Sequence, residues 1–303
     1  MSSSKPVIPM TPELQAQHDR TDAFMAEITQ QITMHQFDTT DQVLLKRMVE
    51  EGFSDTRGVM RLRFAETLGQ IGEPATPVLL EAVSSHPNEV VRRASAKTLT
   101  LIGDPTAVPT LLHAFLNDPD QVVRSSSVGA LARTGEVSVP PLLDILASET
   151  ADQTTKGHAA WALAFIGAEA TEYLTPALNS DSLDVRCAVI GAIVKVVQDQ
   201  PSEKLLNILI SALTDPEPTI RNDVAAGMAQ INSPETIPHL ILACRDSDVD
   251  VRKAAVSSLG KVGDESALET MRSLLNDDEN VVRVLAKVAI SQLEQRLADD
   301  DWD

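Results

Sequence analysis

The stretch from Lys156 to Phe165 holds the side chains best suited to binding chemistry in this sequence. It reads Lys-Gly-His-Ala-Ala-Trp-Ala-Leu-Ala-Phe and contains two of the chain's nine Phe, Tyr and Trp residues. At about 100° per residue, His158, Trp161 and Phe165 share one face of a helix. A face with an imidazole, an indole and a phenyl ring suits a planar ligand or an aromatic side chain of a partner protein.

This stretch is one copy of a unit that repeats along nearly the whole sequence. Lys156 takes a position that is arginine in the other copies, and successive copies follow at intervals of 30 to 35 residues. The equivalent arginines are Arg61, Arg92, Arg124, Arg186, Arg221, Arg252 and Arg283. A fixed period of this size indicates a solenoid in which each unit packs on its neighbours.

Each copy has the apolar spacing of an amphipathic helix. Counted from the arginine, positions −1, +3, +4, +7 and +10 are mostly apolar, as expected for a helix with one buried face. Position +7 is apolar in all eight copies: Leu68, Leu99, Leu131, Leu163, Ile193, Met228, Leu259 and Ile290. Position +11 is glycine in five copies, namely Gly72, Gly103, Gly135, Gly167 and Gly263. We expect these glycines to take the left-handed conformation that ends a helix.

A first helix precedes this second helix in each copy, and Pro77, Pro109 and Pro238 mark the beginning of three of them. Acidic residues four positions before the arginine, such as Asp120, Asp248 and Glu279, can cap the second helix or interact with its positive end. We predict an all-α, right-handed α-solenoid of about eight repeats and about seventeen helices. Its segments are a disordered leader at 1–11, an N-terminal capping helix at 12–38, the repeats at 39–295 and an acidic tail at 296–303.

The composition limits the classes of partner. A formal net charge of −19 makes binding to nucleic acid or to anionic membranes improbable. The sequence has neither a signal peptide nor a run of about 18 apolar residues, so we expect a cytoplasmic protein without membrane insertion. Its two cysteines, Cys187 and Cys244, lie in different repeats and are expected to be reduced.

The repeated arginines have a structural interpretation. Each can pair with an Asp or Glu of its own turn or of a neighbouring turn, and the series of pairs would set the register between repeats. Exposed pairs contribute only about 0–1 kcal/mol each. Burial of the apolar faces, at about 25 cal/mol per Å², must therefore supply most of the driving force.

The segment Asp-Pro-Thr-Ala-Val-Pro-Thr-Leu-Leu at 104–112, followed by Val-Val-Arg at 122–124 and Leu131, resembles the HEAT repeat of the phycobilisome-lyase type. The resemblance extends over about 39–295. Similar cyanobacterial proteins attach bilin chromophores to phycobiliproteins, or bind or dismantle phycobilisomes, and one is a partner of an IscA-type iron–sulfur scaffold. The resemblance thus implies a protein partner, such as a phycobiliprotein.

Enzymatic chemistry finds little support in the sequence. HEAT-repeat metal hydroxylases carry His-Glu dipeptides that bind iron, and none occurs here, nor does a phosphate-binding loop, a nucleophile elbow or a zinc-binding helix. The carboxylates stand mainly at turns and helix starts, where capping explains them. We expect no catalytic residue, no metal and no cofactor other than a transient bilin.

The binding site is best sought in the copy that departs most from its repeat. The residues at position +5 of the neighbouring copies are Gly129 and Gly191, and those at position +9 are Arg133 and Lys195. In HEAT arrays the second helices usually line the concave surface, so rings, open space and cations would meet on that surface. Alternatively, Trp161 and Phe165 pack between helices.

Three functions remain open. The first is a scaffold or chaperone that binds a protein partner in phycobiliprotein maturation, assembly or turnover. The second is a subunit of a bilin lyase, which would deliver a bilin to a cysteine of the acceptor. The third is a partner of an IscA-type scaffold, in which Cys187 or Cys244 would act. The sequence names neither the partner nor the oligomeric state.

Overall fold

The computed structural model describes residues 10–231 and 233–300. Every regular element in this part of the chain is helical, and it contains seventeen α-helices, so the all-α prediction is confirmed. The predicted leader lies mostly outside the described residues, as do Asn232 and residues 301–303. No described helix combines the length and the apolar character needed to cross a membrane.

The chain divides into two compact units, the first ending at Ser138 and the second beginning at Val139. The helices of the first unit are α1 (Pro12–Thr33), α2 (Gln42–Phe53), α3 (Gly58–Ile71), α4 (Thr76–Ser85), α5 (Glu89–Ile102), α6 (Val108–Asn117) and α7 (Gln121–Leu131). The second helices α3, α5 and α7 pack side by side in that order.

The second unit continues the alternation of first and second helices. Its first helices are α8 (Val139–Ala147), α10 (Thr171–Ala177), α12 (Glu203–Ala212), α14 (Ile237–Ala243) and α16 (Leu268–Ser273). Its second helices are α9 (Gln153–Ile166), α11 (Leu183–Asp199), α13 (Pro218–Ile231), α15 (Val249–Val262) and α17 (Asn280–Asp300). Each second helix packs against the next, from α9 to α17.

The core lies where the sequence places the apolar stripe. All eight residues at position +7 are buried, seven of them with 1% exposure or less. At its N-terminal end the first unit is completed by α1, whose Phe24 ring lies 5.8 Å from the ring of Phe64 on α3. The guanidinium of Arg47 on α2 lies 3.8 Å from the Phe24 ring. Thus α1 packs on the first repeat, although it ends at Thr33 rather than at 38.

Local capping explains where several helices begin. Asp120 accepts a hydrogen bond from the amide of Val123 at 2.9 Å, and Asp248 accepts one from the amide of Asp250 at 2.9 Å. Thr11 likewise accepts from the amide of Leu14 at 3.2 Å and starts α1. These side chains bond amide groups that have no partner within the helix.

The helix ends follow the glycine pattern with one exception. Gly72, Gly103, Gly135 and Gly167 have φ between 68° and 78°, as predicted. The prediction was wrong for Gly263, whose φ is −65°. A side chain there would place a Cβ 2.5 Å from the carbonyl oxygen of Leu259, so space rather than backbone conformation requires glycine.

In two copies without this glycine, the helix continues past position +11. Val197 replaces it in α11, which extends to Asp199 and accounts for the longest repeat interval. Glu294 replaces it in α17, which extends through Asp300. Residues 296–300, assigned to the acidic tail by sequence, are therefore helical.

Arginines of the second helices bind carboxylates of the following repeat within each unit. Arg92 donates to Asp118 at 2.8 and 3.0 Å, and Arg252 donates to Asp277 at 2.8 and 3.0 Å. The other pairs of this kind are Arg186 with Asp215 and Arg221 with Asp246. Lys156 replaces arginine in α9 and instead pairs with Asp184 of α11.

Three of these arginines, Arg92, Arg221 and Arg252, also bind carbonyl oxygens of their own turns. Nη1 of Arg252 donates to the carbonyl oxygens of Asp246 and Ser247 at 3.0 and 3.2 Å. Arg61 and Arg283 donate to the carbonyls of Asp55 and Asp277, and Arg124 lies exposed on α7. The guanidinium of Arg252 therefore links the turn of its own repeat to the Asp277 carboxylate of the following repeat.

Candidate functional site

Trp161 and Phe165 lie on the exposed side of α9. Their side chains are 51% and 50% exposed, and the two ring centroids are 5.4 Å apart with a tilt of 35° between the planes. The opposite side of α9 is buried, with Ala159, Ala162 and Leu163 at 0% exposure. The apolar spacing of the repeat thus directs one face of α9 into the core and leaves Trp161 and Phe165, hereafter the ring pair, accessible to a partner. His158, also on α9, is partly buried.

The neighbouring helix α11 offers open space and a cation. Gly191 is exposed, and a Cβ built on it would have no atom within 4 Å. The ammonium of Lys195 lies 2.6 Å from a carboxylate oxygen of Asp199 one turn later, and both side chains are about half exposed. An exposed pair of this kind is weak. Lys195 can therefore exchange Asp199 for a carboxylate of a ligand.

The other two residues of the predicted site belong to the first unit. Gly129 lies on α7, and a Cβ there would likewise meet nothing within 4 Å. Arg133 follows the end of α7 and is exposed. The structure therefore groups Trp161, Phe165, Gly191 and Lys195 in the second unit. The role of all seven residues in binding stays a prediction.

A cleft of about 480 Å³ on the second helices of the second unit was not predicted from the sequence. It lies along α13, α15 and α17, and its lining residues include Asn222, Asp250, Lys253, Ser257 and Leu285. The repeat frame is visible in its lining, because Asn222 and Lys253 both stand at position +1 of their copies, and Ala254 and Leu285 both stand at position +2.

The two cysteines have suppressed acidity. Burial raises the pKa of the Cys244 thiol to about 12. Burial, with the carboxylates of Asp223 and Asp184 as further causes, raises the pKa of the Cys187 thiol to about 12. Since the thiolate is the form that attacks electrophiles and binds metals, neither cysteine is activated for such chemistry.

We expect the folded protein to be alkylated slowly by iodoacetamide at pH 8. A thiol with a pKa of about 12 holds roughly a thousandfold less thiolate at that pH than an unperturbed cysteine. Intact-mass spectrometry over time, with the protein in urea as the control, measures this difference. Labelling of the native protein at the rate found in urea would show that the thiols are not suppressed.

The chemistry that the site can perform is recognition. Rings can stack on a planar ligand or on an aromatic side chain, and Lys195 can pair with a carboxylate. Among the described residues, no group of three or more His, Cys, Asp or Glu side chains is placed to hold a metal ion. The ring pair of α9 contains neither a nucleophile nor an acid.

The family comparison identifies the repeats. Residues 43–132 and 203–291 match the model of HEAT repeats. The chain is also similar to the karyopherin Kap121p in its complex with Nup53p, with a TM-score of 0.57 and 16% identity over 96% of this chain and 38% of that one. At this identity the likeness shows the fold alone.

Two similar proteins, MpeU and the phycocyanin operon protein Z, indicate which type of HEAT-repeat protein this chain is. The chain is 34% identical to "Bilin biosynthesis protein MpeU" of Synechococcus sp. (strain WH8020), over 88% of this chain and 90% of that protein. It is 35% identical to "Uncharacterized phycocyanin operon protein Z" of Pseudanabaena tenuis, over 27% of this chain and 40% of that protein. A deoxyhypusine hydroxylase of Candida albicans is 31% identical over 32% of this chain and 31% of its own length. The repeats, together with the similarity to MpeU along most of both chains, show that this protein belongs to the phycobilisome-lyase type of the HEAT-repeat family.

Proposed function

We propose that this protein acts in phycobiliprotein maturation as a scaffold that holds a protein partner on its second helices. The observation that carries the proposal is the exposed pair of Trp161 and Phe165, which stands in the copy that departs most from the repeat. Aromatic side chains at a surface are frequent anchors of protein interfaces. The similarity to a bilin biosynthesis protein supports a phycobiliprotein as the partner.

A second candidate is a bilin lyase subunit. The ring pair, the space over Gly191 and the cation of Lys195 together suit a planar tetrapyrrole with carboxylate side chains. In this role the protein would hold the bilin while a cysteine thiol of the acceptor adds to it. No residue of the ring pair would take part in bond formation, and the bilin would be bound only in transit.

A role as partner of an iron–sulfur scaffold has less support. Cys187 and Cys244 are the residues that would act in this role, and burial raises the pKa of each thiol to about 12, which leaves little thiolate for binding iron. We further propose that the protein acts in the cytoplasm and contains no resident cofactor.

One experiment separates the first two functions. The full-length protein is mixed with an apo-phycocyanin subunit in the presence and absence of free bilin, and complex formation is followed by size-exclusion chromatography. A scaffold forms the complex without bilin and leaves the acceptor unmodified. A lyase subunit binds free bilin and yields, alone or with a second subunit, an acceptor that keeps its bilin after denaturation. Absence of both a complex and bilin binding would contradict the proposed function.

A further inference from the structure

A second cleft of the second unit, of about 440 Å³, lies beside the first helix α12. Its lining includes Leu178 after α10, Ile208 and Ala212 on α12, and Arg186 on α11. We call this space the α12 cleft. Arg186 and Asp215 are the charged residues of its lining, and they pair with each other. The lining as a whole is therefore neutral, which suits an uncharged and partly apolar ligand.

Arg186 is bonded differently from its counterparts in the following repeats. In Arg221 and Arg252, Nε and Nη2 donate to the two oxygens of a carboxylate at 2.8 to 3.0 Å, and Nη1 donates to a carbonyl of the same turn. Arg186 instead donates from Nη1 to both oxygens of Asp215, at 3.1 and 2.9 Å. Its Nε is buried and has no hydrogen-bond partner among the described residues. A buried donor of this kind is unfavourable until an acceptor reaches it.

The α12 cleft and this donor occur in the longest repeat. The interval from Arg186 to Arg221 is 35 residues, because α11 continues to Asp199 and α12 begins at Glu203. The preceding first helix, α10, has only seven residues and contains Pro176 near its end. In the first unit α2 packs on α4 and α4 on α6, whereas the described residues of α10 and α12 approach each other less closely. The spacing of these two first helices leaves the α12 cleft open beside Arg186.

We propose that the α12 cleft binds an uncharged segment of a partner protein in which one branched aliphatic side chain stands beside an open backbone carbonyl. The aliphatic side chain packs on Leu178, Ile208 and Ala212. The carbonyl oxygen accepts a hydrogen bond from Nε of Arg186, whose guanidinium is held through Nη1 and can turn toward the cleft. Because Asp215 already neutralises this guanidinium, a neutral acceptor is favoured over a second carboxylate. The cleft includes no residue of the ring pair, so the inference is independent of the function proposed above.

The test uses the full-length, isotope-labelled protein and the probe N-acetyl-L-leucine N-methylamide, which is uncharged and carries one branched aliphatic side chain beside two carbonyls. We expect the Nε–H signal of Arg186 to shift in the heteronuclear NMR spectrum, with half-saturation at about 1 mM. The absence of this signal in Arg186→Lys identifies it. N-acetylglycine N-methylamide lacks the side chain and should bind about tenfold more weakly.

Two pairs of variants test the polar and the apolar contact separately, with affinity measured from backbone amide shifts. Arg186→Lys keeps a cation but removes Nε, so it should weaken probe binding about fivefold or more. Arg252→Lys makes the same change where Nε is already bonded, and it should alter affinity by less than about twofold. Ala212→Phe fills the cleft and should abolish binding, whereas Ala226→Phe on the exposed side of α13 should leave it unchanged. Thermal unfolding of each variant verifies the fold.

Four outcomes would overturn the proposal. The first is an Arg186 signal that does not move with probe up to about 20 mM, which would assign only water to the cleft. The second is equal affinity for the glycine probe. The third is an equal loss of affinity in Arg186→Lys and Arg252→Lys. The fourth is a shift of the Arg186 signal with protein concentration alone, because a second copy of this chain would then be the occupant.

Discussion

Trp161→Ala is expected to weaken binding of the apo-phycocyanin subunit or of free bilin by about thirtyfold or more, equivalent to about 2 kcal/mol, with little change in stability. The indole is 51% exposed, so its removal opens no cavity in the core. Changes at such positions usually alter the free energy of unfolding by no more than about 0.5 kcal/mol. A buried indole would behave differently, with a loss of about 3–5 kcal/mol in stability.

Matched variants make this measurement specific. Leu242→Ala removes an apolar side chain that is 65% exposed on the first helix α14, and it should leave affinity unchanged. Trp161→Phe keeps a ring and should retain much of the binding, whereas Lys195→Glu should weaken binding of a carboxylated ligand in a salt-sensitive manner. Isothermal titration and thermal unfolding are measured for each variant. If folded Trp161→Ala binds as tightly as the unmodified protein, the ring pair is not the site.

Arg252→Ala is expected to have the largest effect on stability, a loss of about 3–5 kcal/mol. The Asp277 side chain is only 8% exposed and accepts two hydrogen bonds from Arg252. Removal of the guanidinium leaves this carboxylate with little solvent and without these two bonds, and it also removes the bonds to the carbonyl oxygens of Asp246 and Ser247. The neighbouring variant Lys253→Ala provides the control. Its pair with Asp250 is exposed and should contribute less than about 1 kcal/mol.

The pH dependence of unfolding distinguishes a charge effect from a packing effect. The hydrogen bond from Arg252 lowers the pKa of Asp277, and the one from Arg221 lowers the pKa of Asp246. Such carboxylates stabilise the fold fully above their unfolded pKa, near 4, and this stabilisation is lost as the pH falls through the lower folded value. Urea unfolding at pH 7 and at pH 3 should therefore show a smaller difference between Arg252→Ala and the unmodified protein at pH 3. A difference that is equal at both pH values would assign the effect to packing alone.

Much of the fold could be predicted because its determinants are local and recur. Apolar residues at a 3.6-residue period decide which face of a helix is buried, and this held for every residue at position +7. Acidic residues such as Asp120 and Asp248 begin helices through bonds to amides two or three residues away. Glycine at position +11 ends a helix by its own conformational freedom, as in Gly103. Interactions of so short a range need no knowledge of the neighbouring repeat.

Only the tertiary structure determined which residues of different repeats contact each other. The sequence has an arginine at this position in seven of the eight copies, but only the packed helices select Asp118, Asp215, Asp246 and Asp277 as carboxylate partners, 25 to 29 residues further on. Gly263 follows the glycine pattern, yet a close contact with Leu259 rather than backbone conformation demands it. Whether Trp161 packs between helices or faces outward depends on the helix phase, and a shift of one residue turns a side chain by about 100°. The neighbours α8 and α11 fix that phase by burying Ala159 and Leu163, which leaves the rings of Trp161 and Phe165 half exposed.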